Sequence, residues 1–84
     1  MSNQLIASSE ASARASMLRI ARAWQTSGQI HHAIDAYLRL CHRYSDSPEA
    51  RDAAAEILAL AQSYEQQGQY RMAMDLYNRL ERLS

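Results

Sequence analysis

Residues 17–44, MLRIARAWQTSGQIHHAIDAYLRLCHRY, lie over residues 57–84, ILALAQSYEQQGQYRMAMDLYNRLERLS, when the 84-residue chain is shifted by 40. Nine of these 28 pairs are identical: Leu18/Leu58, Ala21/Ala61, Gly28/Gly68, Gln29/Gln69, Ala33/Ala73, Asp35/Asp75, Tyr37/Tyr77, Arg39/Arg79 and Leu40/Leu80. Conservative pairs fill the gaps: Met17/Ile57, Ile20/Leu60, Trp24/Tyr64, Ile30/Tyr70 and Ile34/Met74. No insertion is needed. A fixed period of this size marks an internal structural repeat.

The punctuation within each unit is clear. The chain's two glycines, Gly28 and Gly68, hold matching places, each after one apolar-periodic segment and before another. That is the place of a helix C′ glycine, where a left-handed backbone carries no Cβ penalty. The one proline, Pro48, follows Ser47 and precedes Glu49. Ser at the N-cap, Pro at the first helical position and an acid in the first turn make a strong helix start. Four helices follow, at about 8–27, 30–45, 48–67 and 70–83, with residues 1–7 frayed and Ser8 or Ser9 as a possible cap. The first carries the stripe Met17, Ile20, Ala21 and Trp24; the second Ile30, Ala33, Ile34, Tyr37, Cys41 and Tyr44. The third carries Ala50, Ala53, Ile57, Leu60, Ala61 and Tyr64; the fourth Tyr70, Ala73, Met74, Tyr77 and Leu80. Short loops at the glycines force antiparallel neighbours, so each repeat is a helical hairpin.

Composition agrees. The chain has no Lys, Val or Phe, one Thr and fifteen Ala, and helix formers dominate. The fold class is all-α: two tandem antiparallel hairpins in one domain, 1–84, with repeat one about 8–47 and repeat two about 48–84. Nine Arg balance nine acidic residues, which argues against nucleic acid or an anionic membrane as partner. No stretch approaches the roughly 20 apolar residues of a membrane span, so no membrane insertion is expected. A lone Cys41 excludes an internal disulfide and suits a reducing, cytoplasmic setting.

The residues resemble the tetratricopeptide repeat. That family places a small residue midway in its first helix, an aromatic three positions on, and Gly at the turn. An apolar or aromatic residue follows two after the Gly, Ala five after it and an aromatic nine after it. These are Ala21, Trp24, Gly28, Ile30, Ala33 and Tyr37 in the first unit, and Ala61, Tyr64, Gly68, Tyr70, Ala73 and Tyr77 in the second. The period departs from the usual 34 residues. The six extra residues fall between Leu40 and Ile57, lengthening the second helix, the start of the third, or both. The resemblance implies a short α-solenoid in which the alanines sit where helices cross closely. Trp24, Tyr37, Tyr64 and Tyr77 then fill the space between hairpins.

Candidate chemistry is sparse. His31 and His32 diverge by about 100° on a helix, and a transition-metal site wants three or four ligands, so no metal site is expected. Cys41 lies on the apolar stripe and reads as a packed small hydrophobe. Asp35/Arg39 and Asp75/Arg79 have ion-pair spacing, and Arg14, Arg19 and Arg22 cluster on the first helix. No Ser/His/Asp set, phosphate loop or paired carboxylates appear, so no enzyme and no cofactor are expected.

The resemblance implies an inner, concave face built from the first helix of each hairpin. It would be lined by Leu18, Arg22 and Gln25 of one unit and Leu58, Gln62 and Glu65 of the next. A mixed apolar and polar groove of this kind suits a helix or peptide of a partner protein. The alternative is structural. Stacked hairpins leave an apolar side open unless something caps it, and Leu76, Leu80 and Leu83 form a second stripe on the fourth helix with no capping helix after it. On that reading the chain is an accessory subunit or a self-assembling homo-oligomer.

Overall fold

The computed structural model describes the backbone of residues 2–83 and the side-chain surroundings of residues 8–83. Four helices follow in order: α1 Ser2–Thr26, α2 Ile30–Arg43, α3 Pro48–Gln66 and α4 Tyr70–Arg82. There is no strand among the described residues. The first helix begins earlier than the expected 8, because residues 2–9 contain no Gly or Pro to interrupt it. Ser8 and Ser9 therefore lie inside α1 rather than capping it, and of the stretch expected to fray only Met1 lies outside the described backbone.

The turns follow from the glycines. Gly28 and Gly68 adopt φ of +85° and +77°. In each turn the amide three residues past the helix closes back on the carbonyl five positions earlier, Gln29 N to Trp24 O at 2.9 Å and Gln69 N to Tyr64 O at 2.8 Å. This bonding satisfies carbonyls that a helix end otherwise leaves orphaned. Between the hairpins, Ser47 Oγ accepts from the Ala50 amide at 3.1 Å, with Pro48 at the first helical position. Such a cap is worth about 1 kcal/mol. The six residues that stretch the period lie at the start of α3, which runs for 19 residues against 14 in α2.

Within each hairpin the two helices pack antiparallel; α3 then lies against α2 and, more lightly, α1. Ala21, Ala33, Ala61 and Ala73 are all buried, which lets helices approach closely. Tyr37, Leu40, Ile57 and Leu76 are the largest fully buried side chains. The added turns of α3 contribute directly: Ala50 and Ala53 are buried, and the Cys41 thiol lies 3.4 Å from the Ala50 carbonyl. Two ion pairs join α1 to α3, Arg14 Nε to Glu49 at 2.9 Å and Arg22 to Glu56 at 3.7 Å.

Several expected core residues lie outside the core. Ile20, Trp24, Tyr70 and Met74 are exposed. Trp24 does not fill the space between the hairpins; it packs on the His32 ring of its own hairpin, with centroids 4.9 Å apart.

Candidate functional site

Both hairpins are built alike: the same turn, the same close alanines and the same cross-hairpin tyrosine bond. Tyr37 donates its hydroxyl to Gln25 Oε1 at 2.5 Å, and Tyr77 donates to Glu65 Oε1 at 2.7 Å. A difference in exposure between equivalent residues therefore reports what the neighbouring hairpin covers. Leu18 is 7% exposed and Leu58 41%; Ile34 is 3% exposed and Met74 56%. Tyr37 is fully buried while Tyr77 is half-buried. The second hairpin covers the first hairpin's residues on this side. Among the described residues nothing covers the second hairpin's.

The expected inner groove is broken up. Leu18 is buried and cannot line an open surface; this corrects the expectation, because α3 packs beside it. Arg22 is drawn toward Glu56. Gln25 and Glu65 are tied to the tyrosines of their own hairpins. Leu58 and Gln62 remain exposed, one turn apart on α3.

The expected outer stripe is also corrected. Leu76 is fully buried. It lines a crevice of about 170 Å³ between α2 and α4 with His31, Ile34, Asp35, Met72, Asp75 and Arg79. Leu83 faces back to Cys41, Ala50 and Ala54, and Leu80 and Leu83 are half-buried against the core. These leucines close the junction between hairpins. The outward residues of α4 are Tyr70 and Met74.

The ionisable groups are held structurally. Burial pushes the Tyr37 hydroxyl above its ordinary value, with the Glu56 carboxylate adding and Arg22 opposing. The hydrogen bond to Glu65 raises Tyr77. Burial also raises the Cys41 thiol, which lowers its thiolate fraction and hence its nucleophilicity. The hydrogen bond from Arg14 lowers the Glu49 carboxyl. Arg79 Nε lies 3.2 Å from Asp75, whereas the matching Asp35 and Arg39 form no ion pair. Among the described residues no three His, Cys, Asp or Glu side chains are grouped to hold a metal. No helix there is long and apolar enough to cross a membrane.

A family model described as tetratricopeptide repeat matches residues 15–47 and 57–83. The chain belongs to the tetratricopeptide repeat family. Each matched segment holds one hairpin turn and its close alanines, and the gap between them contains the added turns of α3. No curated protein and no solved structure matches the chain. Tetratricopeptide repeats generally mediate protein–protein interaction, and the stacked-hairpin geometry suits that work, because it presents extended helix faces rather than a deep cavity.

Proposed function

We propose that this chain is a non-catalytic interaction module that receives a partner helix on the open side of its second hairpin, around Leu58, Gln62 and Met74. The observation that carries the reading is the pairing of buried Leu18 and Ile34 with exposed Leu58 and Met74. The first hairpin's version of this surface already holds a helical partner, namely α3 with α4. The second hairpin has the same turn and close alanines, and it keeps Leu58 and Met74 apolar where Leu18 and Ile34 meet those helices, which supports its open surface as a place for a helix. Exposed apolar groups gathered on one face favour such docking, at about 25 cal/mol per Å² buried. The inner groove is the weaker candidate, since Leu18 is buried and Gln25 and Glu65 already have partners. The single unpaired Cys41 supports a reducing location such as the cytoplasm.

The test is site-specific crosslinking in cells that make the protein. A photoreactive residue replaces Leu58 or Met74, with Ser63 as control, because Ser63 and its equivalent Ala23 are both exposed. Discrete protein adducts are expected from Leu58 and Met74 and not from Ser63. Absence of adducts at both sites, or equal yield at Ser63, overturns the reading.

A further inference from the structure

We propose that the helical partner is a second copy of this chain, stacked head to tail so that its first hairpin follows the second hairpin of its neighbour at the same 40-residue step. This rests on the open side of the second hairpin being the docking face.

The junction inside the molecule is the template. Each contact between the hairpins, moved by 40 residues, becomes a contact between the second hairpin of one copy and the first hairpin of the next. Ile34 and Leu76 line one crevice at the internal junction; moved one step, they become Met74 and Ala36 of the next copy. Met74 is about the size of Ile34 but Ala36 is three carbons smaller than Leu76, so this pair alone fills less space than its template and the remaining contacts must carry the stack.

The face that would dock exists and is open. Ile57 is fully buried at the internal junction, yet its equivalent Met17 is half-buried; Leu60 is half-buried, yet Ile20 is 54% exposed. Trp24 is exposed beside them. The first hairpin thus carries uncovered apolar residues at the positions the second hairpin uses to cover the first.

Charge fits the same register. Cys41 sits among Ala50, Ala54 and Leu83 at the internal junction. One step on, Glu81 takes the place of Cys41, and its surroundings become Glu10, Arg14 and Arg43 of the next copy. The carboxylate meets two guanidinium groups and one acid; Arg14 also bonds its own Glu49. In the α2–α4 crevice the step gathers Arg71 and Asp75 with Asp35 and Arg39 of the next copy, two charges of each sign in one lining, so the crevice carries no net charge that opposes docking.

The contact is heterologous, so each added copy leaves one open face of either kind, and growth continues unless a ring closes. That property supplies the test. Ile20→Glu blocks one face and Met74→Glu the other, and both residues are exposed, so the fold tolerates them. Light scattering of the full chain across a dilution series should give masses rising above 9.5 kDa with concentration. Either variant alone should associate about tenfold or more weakly. An equimolar mixture of the two should stop at twice 9.5 kDa, because one intact junction remains. Glu81→Arg, which sets like charges together, should weaken association without unfolding the chain. A folded monomer at every concentration overturns the proposal, and so does a mixture that stays monomeric. Adducts at Leu58 and Met74 that are not multiples of 9.5 kDa remove the second copy as partner while leaving the docking face; absence of any adduct removes both.

Discussion

The two hairpins differ in what surrounds them more than in how they are made. Each turns at a glycine with positive φ, crosses at buried alanines and ties its helices with a tyrosine hydroxyl. Yet Leu18, Ile34 and Tyr37 are buried, while Leu58 and Met74 are exposed and Tyr77 is half-buried. A repeat unit carries one face for the unit before it and one for the unit after it, and nearest-neighbour contact decides whether either is covered. Burial in this chain is therefore a property of the junction, and the same residue type at the same repeat position has two different energetic roles.

The sharpest way to break the comparison is to truncate equivalent residues. Leu18→Ala and Ile34→Ala each remove buried methyl groups and leave a cavity, for a loss of about 2–5 kcal/mol. That is a large fraction of a small domain's net stability. Leu58→Ala and Met74→Ala should stay within about 0.5 kcal/mol, as surface changes do. Urea unfolding at concentrations where the chain is monomeric measures all four. Equal losses within the pairs would mean that coverage by the neighbouring hairpin does not set the energetic role of these residues.

The hairpins themselves were legible because a turn glycine, a capping Ser-Pro-Glu and a 3.6-residue stripe act locally. The faces were harder to read, because a stripe does not say which neighbour it meets. Leu18 sits beside Met17 and falls off a stripe drawn for one hairpin, but α3 lies on that side and buries it. Leu76 and Leu83 look outward on α4 alone, but they face back to Ile34 and Cys41. The signal was present in the mismatches between repeats. Leu76, Leu83, Ala50 and Ala54 replace Ala36, Arg43, Glu10 and Arg14, so the second hairpin is more apolar where it covers the first. Cys41 and Leu38 become Glu81 and Asn78, so the first is more apolar where it is covered. These differences mark the junction, which also includes the identical pair Leu18/Leu58, told apart by exposure alone.

A smaller effect tests whether the turns are truly equivalent. Nothing lies within 4 Å of a Cβ built on Gly28 or Gly68, and both have positive φ. Gly28→Ala and Gly68→Ala therefore add backbone strain without a clash, at about 1–2 kcal/mol each. Losses in urea unfolding should agree to within about 0.5 kcal/mol, the usual scatter for independent sites. A clear inequality would mean that the junction reaches the turns, and the contrast between hairpins would then include their internal geometry.

The smallest effect concerns the ion pair at the start of α3, which has no counterpart in the other hairpin. Shifted by 40, Arg14 and Glu49 correspond to Ala54 and Ser9, so the pair belongs to the junction alone. The hydrogen bond from Arg14 holds the Glu49 carboxyl below its ordinary value. A carboxyl lowered in the folded state adds stability above its unfolded pKa, near 4.3, and loses it as pH falls through the folded value. Wild type should therefore lose stability on acidification below about pH 4.3 more steeply than Glu49→Gln, and the two should run parallel above it. Urea midpoints taken across this range read the difference directly. Parallel curves throughout would mean that the pair contributes nothing to holding α3 on α1, leaving the junction to apolar burial and the Ser47 cap.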